Sequence, residues 1–185
     1  MATGPDACLV FALLDVDHFK RVNDTWSHAA GDLALKQIAE VLRREARESD
    51  FLIRWGGEEI LFVGHTSDLE GAAMAVARLH QAVRNHPFDL GQPSPVTLTC
   101  SIGFSLFPFQ PDHLEAAAWE DQVRLADRCL YAAKRSGRDG WVGVVALPGA
   151  PVGLAGRFDQ SPAACLKDGT VEPRSSTPDG DLTWG

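Results

Sequence analysis

The sequence is poor in cysteine and lacks a long apolar run. Its four cysteines, Cys8, Cys100, Cys129 and Cys165, form no C-x-x-C pair and have no histidine at metal-ligand spacing. We therefore expect reduced, mostly buried thiols. The apolar run over residues 8–14 is too short to span a bilayer and follows no basic stretch. Neither export nor membrane anchoring is predicted, and the expected location is cytoplasmic.

The chain also has too little positive charge to bind nucleic acid through its overall surface. Lysine and arginine total 17 against 25 aspartate and glutamate residues, which gives a net charge of −8. A phosphate ligand would have to be held locally, most simply by a cation between clustered carboxylates. The length of 185 residues and the hydrophobic content of 45% suit one globular domain.

The clearest strand signal ends in acids. Residues 8–14 are continuously apolar and lead into Asp15-Val16-Asp17, which is typical of a strand buried on both faces. Open sheets place their sites at such C-terminal strand ends. Two further strand-like runs, 51–55 and 60–63, flank Gly56-Gly57-Glu58-Glu59 and predict a hairpin with an acidic turn. The glycine pair either permits a positive φ or lets a ligand approach the backbone.

Amphipathic periodicity predicts helices between the strands. From Asp32 to Leu42, and again over 72–83 and 123–131, apolar residues recur at helical spacing. Strands predicted over 96–106 and 141–145 complete the order βαββαβαβ. This order indicates an α+β fold.

The composition changes near residue 146. Residues 147–185 are rich in Pro, Gly, Ser and Thr and show little periodicity. Such a segment buries too little apolar surface to offset the entropy of ordering. We therefore predict a folded domain over residues 1–146 and a disordered C-terminal tail over 147–185.

Each acidic cluster taken alone is compatible with a solvated loop. A buried strand and a neighbouring hairpin can nevertheless bring Asp15 close to Glu58 and Glu59, and adjacent carboxylates repel unless a cation lies between them. Magnesium is the natural candidate because the available ligands are oxygens. Asn23 and Asp32 are compatible with ordinary helix caps, and capping alone would explain Asp32.

Several motifs in fixed order resemble the GGDEF family of diguanylate cyclases. They are LDVDHFKRVND at 14–24, SHAAGD at 27–32, RWGGEEI at 54–60, CSIG at 100–103 and ADRCLYAAK with SGR at 126–138. The resemblance covers roughly residues 8–145. It implies a five-stranded, mainly antiparallel central sheet wrapped by helices, similar to the nucleotidyl cyclase and polymerase palm folds.

The resemblance also implies an activity and a metal site. Members condense two GTP into cyclic di-GMP and pyrophosphate, with attack of a 3′-hydroxyl on an α-phosphate assisted by Mg²⁺ or Mn²⁺. By position, Asp15, Glu58 and Glu59 would be catalytic, and the metal would be held by these carboxylates and the Val16 carbonyl. Two domains, each holding one GTP, would have to meet as a homodimer.

Substrate and inhibitor residues follow by the same comparison. Asn23 and Asp32 would read guanine, which offers a pair of N–H donors to a carboxylate. The other residues implied for substrate binding are Phe19, Lys20, His28, Gly56, Gly57, Lys134 and Arg138, with the last two at the terminal phosphates. Arg47 and Asp50 match the R-x-x-D site for inhibition by the product, to which Arg78 would add a contact. Solvated helix ends are the alternative explanation for Lys134, Arg138, Arg47 and Asp50, and a surface arginine for Arg78.

The chain departs from the family pattern in three places. Only seven residues precede Cys8, so the usual D-x-L-T-G-L-x-N-R-R segment is not there, and we expect an N-terminally short member. Ser27 stands where the family often has Gly, and Ile60 where it has Phe; both are expected to be tolerated. The alternatives are a GTP or cyclic di-GMP binding module without turnover, a mononucleotide cyclase, and a structural dimerisation domain.

Overall fold

The computed structural model describes residues 8–116, 118–177 and 182–184, without the side chains of 114–116. It confirms the α+β class. The strands are β1 (Cys8–Val16), β2 (Phe51–Gly56), β3 (Glu59–Thr66), β4 (Cys100–Phe107), β5 (Gly140–Ala146) and β6 (Val171–Ser175). The helices are α1 (Phe19–Trp26), α2 (His28–Glu45), α3 (Leu69–Asn85), α4 (Trp119–Arg135), α5 (Leu154–Gln160) and α6 (Pro162–Lys167), and a 3₁₀ segment spans Pro111–Ala116.

The strands form one sheet in the order β2-β3-β1-β4-β5-β6. All neighbouring pairs are antiparallel except β4 and β5, which are parallel. The mainly antiparallel arrangement agrees with the expectation from the sequence. The expected five strands are one too few, because β6 comes from the segment that the composition assigns to a disordered tail.

Strand β1 lies inside the sheet and is buried on both faces, as its continuous apolar run predicts. Ala12 and Leu14 pack in the core formed with α2 and α3. Phe11 and Leu13 pack on the other face, against Leu130 and its neighbours on α4. The C-terminal end of β1 is thereby fixed between two helical layers.

Close packing of α4 on the sheet depends on a glycine in β4. A β-carbon on Gly103 would fall 2.0 Å from the carbonyl oxygen of Ala126 and 2.1 Å from the amide nitrogen of Leu130. These are backbone atoms, so they can move aside only if the helix moves. Gly103 therefore sets the distance of α4 from the sheet.

The predicted hairpin is present as β2 and β3. The register shifts between Arg54 and Gly56, so the strand pair ends irregularly at the acidic turn. Strand β2 is at the edge of the sheet, and its side chains Phe51, Ile53 and Trp55 are 64%, 44% and 45% exposed. These alternate residues form an apolar stripe on one face of β2.

Residues 147–177 form ordered elements, so the predicted disorder is wrong for this segment. Its few large apolar side chains are well spaced: Leu154, Phe158 and Cys165 are fully buried in a core that also contains Val171. The breakers that suggested disorder lie at element boundaries, since Gly153 precedes α5 with φ of 81° and Pro162 begins α6. Residues 178–181 and 185, also assigned to the tail, lie outside the described part, as do residues 1–7 of the predicted domain.

Cys100, Cys129 and Cys165 are buried free thiols, in agreement with the expectation for these three residues. Burial raises the pKa of the Cys100 and Cys129 thiols well above the ordinary value. They pack as small apolar side chains. Within the described residues, no helix combines the length and apolarity needed to cross a membrane.

Candidate active site

Three carboxylates meet where β1 ends beside the β2–β3 turn. Asp15 lies opposite Glu59 in the antiparallel register of β1 and β3. The negative charge of Glu58 acts on the Asp15 carboxyl, and that of Asp15 acts on Glu59. The fold thus brings together the acids that the sequence analysis grouped from separate segments.

These carboxylates are costly to keep ionised together. Burial is the main cause that raises the pKa of Asp15, with Glu58 and Asp17 adding repulsion and Lys134 opposing it. Burial is also the first cause that raises the pKa of Glu59, followed by repulsion from Asp15. A cation at this place would relieve both the desolvation and the repulsion.

A lysine supplies a positive charge at this place. The Lys134 ammonium nitrogen, near the end of α4, lies 2.9 Å from Oδ2 of Asp15. Lys134, which is predicted to contact terminal phosphates, forms this ion pair in the structure, and its side chain is 30% exposed.

The available oxygen atoms fit a magnesium ion whose remaining ligands would come from water and the substrate. Asp15 and Glu58 offer carboxylate oxygens, and Val16 offers a carbonyl at the end of β1. Among the described residues no three His, Cys, Asp or Glu side chains are arranged to hold a metal ion. Magnesium is commonly bound by one or two carboxylates, with water and substrate phosphates as its other ligands. The acids therefore fit a partial site of this kind.

Asp17 has a different role from Asp15, although the two lie in one short motif. It is 5% exposed and accepts hydrogen bonds from the hydroxyls of Thr99 at 2.8 Å and Ser101 at 2.7 Å, and from the backbone N–H of Asp139 at 3.0 Å. These donors occupy both of its oxygens. Asp17 therefore joins β1 to β4 and to the loop before β5.

A cleft of about 310 Å³ adjoins the acids and contains most of the predicted substrate residues. It lies between α1, α2 and the β2–β3 turn. Its lining residues are Phe19, Lys20, Asn23, Asp24, His28, Asp32, Leu35, Arg54, Gly57 and Glu58. Glu58, one of the three acids, thus lines the same cavity as the candidate base-reading side chains Asn23 and Asp32.

Asp32 and Asn23 are not helix caps, so that alternative is wrong. Helix α2 begins at His28, earlier than the periodicity indicates, and Ser27 caps it by accepting a hydrogen bond from the N–H of Ala30 at 3.3 Å. Asp32 is inside α2 and exposed at the cleft, and Asn23 is inside α1. Their side chains are therefore available to a ligand.

The absence of a side chain at Gly31 leaves room for the side chain of Asn23. A β-carbon on Gly31 would fall 2.0 Å from Oδ1 of Asn23 and 3.1 Å from the ring of Phe19. Gly31 lies one residue before the segment in which helical periodicity is visible, so the periodicity gives no signal for this role.

The glycine pair in the acidic turn is not required by a left-handed backbone. Neither Gly56 nor Gly57 has a positive φ, and a β-carbon on Gly57 would meet nothing within 4 Å. The carbonyl of Gly57 accepts hydrogen bonds from Nε and Nη2 of Arg54 at 3.2 and 2.9 Å. Arg54, another residue given no role from sequence, therefore holds the turn and lines both the cleft and an adjoining cavity of about 510 Å³.

Helix ends carry four of the residues predicted to bind substrate: Phe19 and Lys20 begin α1, Lys134 is in the last turn of α4, and Arg138 follows that helix. His18 precedes α1 with φ of 55°, and its side chain does not cap the helix. The N-terminal turn of α1 therefore has no side-chain cap, which suits the binding of an anion by backbone N–H groups. Arg138 follows Gly137 at the end of α4, and its N–H donates to the carbonyl of Ala133 at 3.1 Å. This bond is typical of a Schellman motif, with Gly137 at φ of 115°.

The predicted inhibitory residues lie together at the end of α2, outside the cleft. Oδ2 of Asp50 accepts from the N–H of Arg47 at 2.8 Å, and its Oδ1 is buried without a hydrogen-bond partner. Arg78 on α3 is tied to Glu45 through the Glu45 carbonyl at 2.9 Å and its carboxylate at 3.4 Å. The buried Oδ1 of Asp50 lies against Gly64, where an added β-carbon would fall 3.0 Å from it.

Ser27 has a backbone conformation that few residues adopt. Its φ of 133° and ψ of 165° lie in a region that is essentially restricted to glycine. The resembling family often has Gly at this position, and the conformation explains that preference. Ser27 adopts this strained conformation while its side chain caps α2.

Comparison with known proteins identifies relatives over most of the chain. A family model described as diguanylate cyclase, GGDEF domain, matches residues 2–140. Diguanylate cyclase DgcP of Pseudomonas aeruginosa is 41% identical over 131 residues, which are 71% of this chain and 18% of that protein. The chain therefore spans about a fifth of this relative's length.

Solved structures agree with this comparison. The diguanylate cyclase SiaD of Pseudomonas aeruginosa, in complex with its activator SiaC, is 39% identical with a TM-score of 0.64, covering 71% of this chain and 48% of that one. The GGDEF domain of DgcB from Caulobacter crescentus, in complex with c-di-GMP, is 30% identical with a TM-score of 0.61, covering 72% of this chain and 75% of that one. The family match over residues 2–140 includes every residue that lines the cleft.

Proposed function

Because the chain belongs to the GGDEF family of diguanylate cyclases, we propose that it condenses two GTP molecules into cyclic di-GMP. Each 3′-hydroxyl attacks the α-phosphorus of the other GTP, so two P–O bonds form and two pyrophosphates leave. The observation that carries the proposal is the meeting of Asp15, Glu58 and Glu59 beside a cleft that contains Asn23 and Asp32.

The acids have separable roles in this reaction. Asp15, Glu58 and the Val16 carbonyl would hold Mg²⁺ or Mn²⁺, which supplies stabilisation of phosphate charge when bound. Glu59 has a raised pKa, because of burial and the nearby Asp15, and is suited to accept the proton of the attacking hydroxyl. Lys134 can turn from Asp15 toward the terminal phosphates, where Arg138 adds a second positive charge.

Base selectivity comes from Asp32 and Asn23. The Asp32 carboxylate accepts the paired N1–H and N2–H donors of guanine, whereas adenine offers no such pair on that edge. Phe19 and Leu35 line the same cleft and provide an apolar surface for the base. We therefore expect GTP to be strongly preferred over ATP.

Turnover requires two chains. One cleft of about 310 Å³ and one set of acids serve a single GTP, whereas the reaction joins two. The homodimer would place the two clefts face to face. Cyclic di-GMP is also proposed to inhibit the enzyme by binding at Arg47, Asp50 and Arg78, where an arginine fork suits a guanine edge or a phosphate.

Product analysis tests the proposal directly. Purified protein is incubated with GTP and Mg²⁺, the nucleotides are resolved by chromatography, and Glu58→Gln serves as the inactive control. We expect cyclic di-GMP and pyrophosphate from GTP and none from ATP. Tight GTP binding without product would instead support the binding module, and cyclic GMP would support a mononucleotide cyclase.

A further inference from the structure

A C-terminal segment packs against the helix that carries Lys134. We call residues 147–177 the C-terminal brace; they include α5, α6 and β6 and follow the end of the family match at residue 140. Strand β6 adds to the sheet beside β5. The brace shares one buried core with α4 and β5, in which its own Leu154, Phe158, Cys165 and Val171 meet Leu125, Cys129, Ala132, Val142 and Val144.

The brace makes polar contacts with the start of β5, next to the α4–β5 loop (residues 136–139). Oγ of Ser176 accepts a hydrogen bond from the N–H of Trp141 at 2.8 Å, and the N–H of Ser176 donates to the Trp141 carbonyl at 3.0 Å. Farther along the chain, the N–H of Thr183 donates to Oγ of Ser136 at 2.9 Å. The C-terminal part of the chain therefore contacts both ends of this loop.

The other side of the loop is held by β1 and α3. The N–H of Asp139 donates to Asp17, and the Asp139 carboxylate lies 3.0 Å from Nε2 of His80 and 3.1 Å from Nε of Arg84. The loop therefore lies between α3 and β1 on one side and the brace on the other. Each contact involves a residue next to Arg138 or within three positions of it.

The loop needs such restraint because its backbone is strained. Gly137, Arg138 and Asp139 have φ values of 115°, 63° and 46° in succession. For Arg138 and Asp139, which carry a β-carbon, the left-handed region is unfavourable. Such a conformation persists only where surrounding contacts determine it.

We propose that the C-terminal brace positions Arg138, and with it the end of α4 that carries Lys134, for binding the terminal phosphates of GTP. Ser176 is the positioning residue, because it joins the brace to the backbone of β5 next to the loop. The proposal rests on the proposed function, which places these two cations at the phosphates. It adds a dependence of phosphate binding on a segment beyond the family match.

The test compares Ser176→Ala with Ser161→Ala. Ser161 is an exposed serine of the same brace that makes no side-chain cap, so it is a matched control. We expect Ser176→Ala to weaken GTP binding about two- to tenfold, the range for one lost hydrogen bond, and to raise KM by the same factor with little change in kcat. Guanosine, which has no phosphates, should bind both variants and the unchanged protein equally.

A second variant perturbs the same contact from the side of β5. A β-carbon on Gly140 would fall 2.6 Å from Oγ of Ser176, so Gly140→Ala should displace that hydroxyl and give the same difference between GTP and guanosine. The double variant lacks the hydroxyl and therefore the clash. It should bind GTP no more weakly than Ser176→Ala alone.

Two results would overturn the proposed role of the brace without affecting the proposed function. One is equal GTP affinity in Ser176→Ala and Ser161→Ala while the unchanged protein binds GTP tightly. The other is an equal loss of GTP and guanosine affinity, which would indicate general loosening of the fold. If the unchanged protein bound no GTP, the proposed function and the proposed role of the brace would both be wrong.

Discussion

At the scale of residues, the Asp15-Val16-Asp17 motif contains one acid placed for a cation and one placed for the fold. Asp15 is partly desolvated beside other carboxylates and is paired with Lys134. Asp17 is surrounded by three hydrogen-bond donors and joins three segments of the chain. The two aspartates of this motif should therefore differ in how much their substitution changes the stability of the protein.

Asp17→Asn should destabilise the protein by about 1–3 kcal/mol, because one oxygen that accepts hydrogen bonds becomes an NH₂ group facing donors. Asp15→Asn should change the free energy of unfolding by no more than about 1 kcal/mol, because the lost ion pair is offset by relief of burial and repulsion. Urea unfolding at neutral pH without added metal measures both. Equal losses in the two variants would contradict the division of roles.

The raised pKa of Asp15 predicts a pH effect of defined sign. An acid whose pKa is higher in the folded protein than its ordinary 3.8 binds more protons when folded, so it lowers the free energy of unfolding as the pH rises through that interval. Asp15→Asn carries no charge at any pH. Its stability relative to the unchanged protein should therefore rise between about pH 4 and pH 7.

Asp68 provides the opposite control for this measurement. Its pKa is lowered, first of all by the hydrogen bond from the N–H of Gly71 at 2.7 Å. The stability it contributes is present above its unfolded pKa and is lost as the pH falls, so Asp68→Asn should lose relative stability as the pH rises. If both variants followed the same trend, the local account of Asp15 would be wrong.

Replacing Ser27 by Gly should stabilise the protein by about 1 kcal/mol. The change relieves a conformation that costs about 1–3 kcal/mol, against the smaller loss of the cap and the larger entropy of an unfolded glycine. Ser161→Gly is the control, because this serine also precedes a helix but has φ of −151°. It should give no gain, and a loss in Ser27→Gly would show that the serine is not strained.

At the scale of elements, periodicity predicted strands β1 to β5 and the long helices but missed β6 and the short or polar helices. Helix α1 was not predicted because only Phe19 and Val22 are buried in it. The start of α2 was placed at Asp32, since the residues from His28 to Gly31 add no large apolar side chain to the pattern. Helices α5 and α6 were missed because each buries only two side chains.

The site was more accessible to sequence reasoning than these short elements. Its acids lie at the ends of strongly apolar strands, and the motif spacing carries the family resemblance. The pairing of Lys134 with Asp15 and the part of Arg54 in holding the turn could not be predicted. Both depend on how separate segments approach each other in the folded chain.

Because Asn23 of α1 packs closely against Gly31 of α2, we expect Gly31→Ala to weaken GTP binding. The added methyl group would displace Asn23 from the cleft, so we expect GTP affinity to fall about tenfold. Gly156→Ala in α5 is the control, because its β-carbon would meet nothing within 4 Å and Ala favours the helix by about 0.5–1 kcal/mol. Equal GTP affinity in the two variants would show that Asn23 does not contact the base.

At the scale of the whole molecule, an acidic chain can bind a triphosphate only through local charge. The net charge of −8 disfavours phosphate in general, while Lys134, Arg138 and a metal at Asp15 would favour it at one end of the sheet. The proposed reaction then needs a second chain that presents its own GTP. The proposed catalysis would therefore depend on an encounter between two clefts.

The rate of cyclic di-GMP formation on dilution tests this central claim most directly. With saturating GTP and Mg²⁺, the rate per chain is measured by chromatography over a wide range of protein concentration. The account predicts that cyclic di-GMP is the product and that its rate per chain falls as dilution separates the chains, with Glu58→Gln inactive throughout. A rate per chain that stays constant well below the dimer dissociation constant, or a product closed within a single nucleotide, would contradict it.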